Sequence, residues 1–204
     1  MSSFQSTLPP LRVPTPDNLK YNVKANILSI EGNIGSGKST LMRSIIEELG
    51  SHEDCDPMPL FRCQSHGDIL VVGRYPKGET FGGTDKLSYG AIPKFRDFLV
   101  QEEPKRKHIL IEGDRFVREK DISWILDNYT DSRIYILKVP LEVEKQRHID
   151  RADDQSEQWL KTRRGLIKNL ETNMMLMGDL LIRENETTED SENLKKEILS
   201  TITF

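Results

Sequence analysis

A three-layer α/β domain, with a five-stranded parallel sheet between helices, follows from three features of this 204-residue sequence. Short apolar, β-branched runs alternate with stretches whose apolar residues recur at helical spacing, the pattern of successive βαβ units. A glycine-rich turn, Gly32–Gly37, separates the first apolar run from the first helical stretch, so strand, loop and helix come as one unit. The length suits a single domain, and 36% hydrophobic with 30% charged residues is ordinary for a globular chain. Right-handed crossovers then wind the strands into an open, doubly wound sheet.

Met1 to about Val23 carries Pro9, Pro10, Pro14 and Pro16 without periodicity and reads as a tail, leaving residues 24–204 as the domain. Ile27, Leu28 and Ile30 make the first strand. Leu41, Ile45, Ile46 and Leu49 mark a helix that Gly50 stops. Ser51–Pro59 reads as a polar loop and Ile69–Val72 as the second strand. Pro76–Gly90, rich in glycine, reads as an ordered site loop, because Phe81, Leu87 and Tyr89 give it something to pack with. Ala91–Val100 is a helix with Pro93 in its first turn, and His108–Ile111 is the third strand. Ile122–Leu126 lies in a short helix, and Arg133–Val139 is a strand closed by Pro140. Glu142 to about Lys168 is helical and charged, with a polar break at residues 153–156. Met174–Met177 is an apolar patch, Leu180–Arg183 the fifth strand, and Ser191–Ile202 a C-terminal amphipathic helix.

The chemistry starts at Gly32–Ser39, which match the phosphate-loop pattern G-x-x-x-x-G-K-[ST] without a departure. Glycines permit the backbone angles that turn successive N–H groups of residues 32–40 (Gly32, Asn33, Ile34, Gly35, Ser36, Gly37, Lys38, Ser39 and Thr40) around phosphate oxygens at a helix N-terminus. Lys38 reaches the β- and γ-phosphates, and the Ser39 hydroxyl joins a Mg²⁺ shell, so ATP and Mg²⁺ are the expected cofactors. The third strand delivers Glu112, Asp114 and Arg115 at its carboxyl end, where open α/β sheets bind ligands. Arg147 and Arg151 share a helix face and, with Arg163, suit a lid over about 142–168 that closes on phosphate. Arg74, Tyr75, Phe81, Thr84 and Asp85 are the candidates for the acceptor side.

A net charge of −4 gives no global basic field for nucleic acid, although local clusters can still bind phosphate. Two cysteines without metal-site companions suggest a reducing compartment. No run reaches the ~18 apolar residues of a membrane span, and the N-terminus lacks a signal-peptide core. These features predict a cytoplasmic or nuclear enzyme, inside the host cell if viral, with no membrane partner.

Ile30–Thr40 closely resembles the phosphate loop of deoxynucleoside kinases, Ile-Glu-Gly-Asn-Ile-x-x-Gly-Lys-Ser-Thr. The order of loop, acceptor region, acidic-arginine motif and lid is similar to the wider group of nucleoside and nucleoside-monophosphate kinases. The resemblance implies a P-loop NTPase fold with a helical lid. That family's Glu-Arg-Ser is here Glu112-Gly113-Asp114-Arg115, which displaces the arginine by two positions, and its acceptor-side aromatic motifs are not recognisable. Gly73-Arg74-Tyr75, Phe81-Gly82-Gly83-Thr84-Asp85 and Glu-Gly-Asp-Arg look similar to kinases of some viruses, including types associated with modified pyrimidines.

The expected reaction is in-line transfer of a γ-phosphoryl group, carried by positioning and charge neutralisation. Ser39 with Asp114 or Glu112 holds the metal; Glu112 is alternatively the base that orients an acceptor hydroxyl. Arg74 and Arg115 would hold an acceptor phosphate. The acceptor is a nucleoside or nucleoside monophosphate, or else a hydroxyl on a modified base (a hydroxymethylpyrimidine) in DNA. An NTP-hydrolysing switch is the third reading.

Overall fold

The computed structural model describes residues 25–79, 82–116, 118–151, 155–173, 176 and 178–202. The proposed tail, Phe81 and the methionines at 174, 175 and 177 lie outside these residues.

Seven strands form one sheet in the order β2-β3-β4-β5-β1-β6-β7. β1 (Asn26–Gly32), β4 (Ile69–Val72), β5 (His108–Glu112), β6 (Arg133–Lys138) and β7 (Leu180–Glu184) run parallel. They coincide with the five apolar runs of the sequence. The other two correct the expected count of five. β2 (Glu53–Met58) and β3 (Phe61–His66) are an antiparallel hairpin added to β4, and β2 lies where the sequence predicts the loop Ser51–Pro59.

The hairpin escapes prediction because β2 is an edge strand. Glu53, Asp54, Asp56 and Pro57 are poor strand formers, but an edge needs no inward donor from a proline and tolerates acid on its open side. β3 supplies the packing: Phe61 and Cys63 are fully buried, while Arg62 between them is exposed. Phe61 stacks on Phe98 at 4.2 Å, and Phe95 on Phe116 at 4.0 Å.

The central parallel strands are buried on both faces, as near-continuous apolar strands require. Ile27, Ile109, Ile111, Ile134 and Ile136 join the core under α2 (Phe95–Glu102), α3 (Glu119–Asn128) and α5 (Glu157–Thr172). Leu28, Ile30, Leu110, Tyr135 and Leu137 face α1 (Lys38–Leu49) and α6 (Thr188–Ile202), whose Leu41, Ile45, Leu194 and Ile198 close the other layer. α4 (Leu141–Asp150) follows β6 and precedes the polar break. The expected helix at Ala91 begins as 3₁₀ turns over Tyr89–Lys94 and becomes α-helical only at Phe95, since Pro93 has no N–H to donate. β1 pairs with β5 so that Ile30 lies opposite Glu112. The phosphate loop and the acidic-arginine segment therefore leave the sheet side by side.

Candidate phosphoryl-transfer site

Gly35 and Gly37 have φ of 85° and 89°, the left-handed values a phosphate loop needs. Gly37 has a second reason to be glycine: a Cβ there would stand 2.5 Å from Asn185 Nδ2. That amide donates to the Ser36 carbonyl at 2.6 Å, and the residue is 3% exposed. Asn185 follows β7, 149 positions away in sequence, and no local signal in the sequence marks it.

Lys38 opens α1 and turns its ammonium inward, donating to the Gly32 and Asn33 carbonyls at 2.9 and 3.0 Å. Its Nζ lies 3.4 Å from Asp114 Oδ1. Burial works to lower the lysine pKa, but the carboxylates of Asp114, Glu112, Asp85 and Glu31 outweigh it and the net shift is upward. Ser39 Oγ donates to Glu112 Oε1 at 3.0 Å, and Tyr75 donates its hydroxyl to Glu112 Oε2 at 2.8 Å. Glu112 is fully buried, and desolvation chiefly pushes its carboxyl up to about 7. One Glu112 oxygen is thus engaged by Ser39 of the phosphate loop and the other by Tyr75, which follows β4.

Asp85 approaches from the other wall. The acceptor segment crosses the end of β4 where Arg74 bridges to Gly83 and Gly73 faces Gly83 backbone to backbone. Thr84 then donates its hydroxyl to the Glu112 carbonyl at 2.8 Å, and Asp85 Oδ1 accepts the Asp114 N–H at 2.9 Å. Arg115 donates to the Asp85 carbonyl at 2.8 Å, and its guanidinium lies over the Tyr89 ring at 3.9 Å. Burial and the neighbouring Asp114 carboxylate raise the Asp85 pKa.

A cavity of about 800 Å³ lies at this site. Of the residues singled out in the sequence, Ile34, Gly35, Gly37, Lys38, Ser39, Thr40, Asp85, Glu112, Asp114, Arg115, Arg151 and Arg163 line it. Arg163 stands 3.9 Å from Asp114 Oδ2, bringing α5 to the acidic end. Arg74, Tyr75, Thr84 and Arg147, all expected site residues, are placed outside the lining. Arg74 pairs with Asp54 and Asp56 of β2 at 3.3 and 2.8 Å and is not in the cavity lining, a consequence of the hairpin the sequence did not announce. Arg147 donates to the Gly35, Asn185 and Glu186 carbonyls and ties the loop to the β7 end, so its fork is spent on backbone. Tyr75 is buried behind Glu112 instead of facing an acceptor. The cavity adds Arg43, Lys86, Tyr89, Arg118 and Trp159, which sequence reasoning did not select. The i,i+4 spacing of Trp159 and Arg163 was the one available signal.

A magnesium ion fits the donor set. Ser39, Glu112 and Asp114 offer hard oxygens, and Asp114 Oδ1 is buried without a hydrogen-bond partner. Among the described residues no cluster of three or more acidic, histidine or cysteine side chains forms an all-protein metal cage; magnesium commonly takes one or two carboxylates and completes its shell with phosphate and water.

No helix among the described residues is long and apolar enough to cross a membrane. No family model matches the chain, and no curated protein matches it in sequence. Among the solved structures it resembles is a gluconokinase from Sinorhizobium meliloti 1021, with 13% identity, a TM-score of 0.51, and coverage of 89% of this chain and 93% of that one. At that identity the likeness shows the fold alone: the chain shares the α/β architecture of that protein.

Proposed function

We propose that the protein transfers the γ-phosphoryl group of ATP to a hydroxyl of a nucleoside-class acceptor. The observation that carries this reading is that Asp85, bonded to the Asp114 N–H, lines the same cavity as Lys38, Ser39, Glu112 and Asp114. A carboxylate on the acceptor wall suits a hydroxyl that must lose a proton and repels an acceptor that is already a phosphate. Lys38 and the loop N–H groups hold the β- and γ-phosphates. Ser39, Glu112 and Asp114 hold magnesium, which neutralises charge on the transferring group when bound. Asp85 orients the acceptor hydroxyl and takes its proton. Arg115, Arg151 and Arg163 stabilise charge on the equatorial oxygens, and α4–α5 closes as a lid that excludes water.

A second reading, a hydroxymethylpyrimidine in DNA as acceptor, draws support from the rim. Seven cationic side chains against four acidic ones line the cavity of a chain whose net charge is −4. The test offers ATP-Mg with nucleosides, nucleoside monophosphates, hydroxymethylated DNA and gluconate in parallel. Phosphorylation of a nucleoside or of the DNA is expected, with steep salt dependence if the strand is the substrate. Labelled product from gluconate alone, or acceptor-independent ATP turnover at the same rate, overturns the nucleoside-class assignment.

A further inference from the structure

Two aromatic rings reach the cavity from elements seventy positions apart in sequence, and each carries a guanidinium. Tyr89, 69% exposed, begins the 3₁₀ turns before α2 and lies under Arg115. Trp159 stands in the first turn of α5, where its N–H donates to the capping Ser156 hydroxyl at 3.3 Å, and Arg163 lies 5.0 Å from its ring centre. Neither ring is a member of either hydrophobic cluster. Ile92 and Leu166 add apolar surface to the same cavity lining. Arg115 and Arg163 connect these rings to the chemistry, the first through the Asp85 carbonyl and the second through Asp114.

Resting on the nucleoside-class reading above, we propose that Tyr89 and Trp159 are the specificity-determining residues of the acceptor subsite. The acceptor's flat heteroaromatic ring stacks on these two aromatic–guanidinium surfaces, which sets its hydroxyl against Asp85. Rings supply stacking to any base, and arginine planes extend the surface. Recognition therefore asks first for a planar ring, and a hydroxyl compound without one is a poor acceptor. The same ring is offered by a free nucleoside or by a base displayed on a strand, and both are probes below.

The experiment compares Tyr89→Ala and Trp159→Leu with Tyr89→Phe and Trp159→Phe. Initial rates are measured with 5-hydroxymethyl-2′-deoxyuridine and with an oligonucleotide that contains it. Removing either ring is expected to raise the acceptor KM by about tenfold or more, from the usual worth of one base–aromatic stack. The KM for ATP should not change, and each Phe variant should restore most of the loss. In a Trp124→Phe background Trp159 is the one remaining tryptophan, and its emission should quench as the acceptor saturates. An acceptor KM within twofold of the parent in both truncated variants, with no quenching, overturns the stacking assignment while the kinase reading stands. Activity on gluconate with none on either nucleoside probe overturns the underlying reading itself. A thermal shift with ATP-Mg in every variant separates both results from misfolding.

Discussion

The two walls of the cavity were built by different kinds of information. On the donor wall, Gly32–Ser39 lie where their spacing puts them, with Lys38 and Ser39 turned inward. The geometry is made by the backbone of one contiguous segment, so local sequence is sufficient. On the acceptor wall, residues 73–89 supply Asp85, but Arg74 turns outward to the β2 acids and Tyr75 retreats behind Glu112. There each side chain's direction depends on a partner from another part of the chain. A contiguous motif survives translation into structure; a set of plausible residue types does not.

The largest expected effect lies on the donor wall. Lys38→Ala should lower kcat by about a thousandfold, as loss of a charge aimed at the transferring group does. Circular dichroism should report an unchanged fold. A folded variant with parental turnover would remove the donor wall from the reaction. An intermediate effect separates two arginines that look alike in sequence. Arg115→Ala should cost about a hundredfold in kcat/KM. Arg74→Ala should stay within about threefold, because it loses surface ion pairs worth about 0.2–1 kcal/mol each. The reverse ranking would mean that the acceptor lies against the β2–β3 hairpin.

The smallest effect on turnover, though not on stability, concerns Glu31. This carboxyl is fully buried, accepts Ser29 Oγ, and has one oxygen without a partner. Desolvation raises its pKa to about 8. The unfolded chain releases this proton near pH 4.5 and the folded chain holds it to about 8, so the unfolded state binds fewer protons in that window. Stability contributed by the site falls as pH rises through it. Glu31→Gln keeps an acceptor for Ser29 and removes the titration. Urea denaturation at pH 8 should therefore favour the variant by up to about 4 kcal/mol, shrinking to about 1 kcal/mol or less at pH 5. An equal difference at both pH values would show that Glu31 does not titrate in this range.

Much of the fold is legible in the chain's hydrophobic pattern. Each central parallel strand is a short β-branched run buried on both faces, and burial on both faces leaves no polar alternation to confuse the reading. The β2–β3 hairpin is illegible for the converse reason. Its edge strand is acidic and contains Pro57, and it is held by its neighbour's buried Phe61 and Cys63 and by the distant Arg74. The site divides likewise. Asp114 and Arg115 follow from their position at a strand end. Asn185 does not, because its side chain reaches a carbonyl 149 positions away.

By itself the sequence determined that a phosphate loop stands between a central strand and a helix, and that acid and arginine leave the third parallel strand beside it. Backbone conformation and hydrophobic period carry that information locally. Tertiary structure alone decided which arginines line the cavity, which tyrosine is buried, and that Tyr89 and Trp159 line the same cavity. A charged or aromatic side chain goes wherever its best partner lies, and in this fold those partners are brought together by sheet order rather than by neighbourhood in the chain.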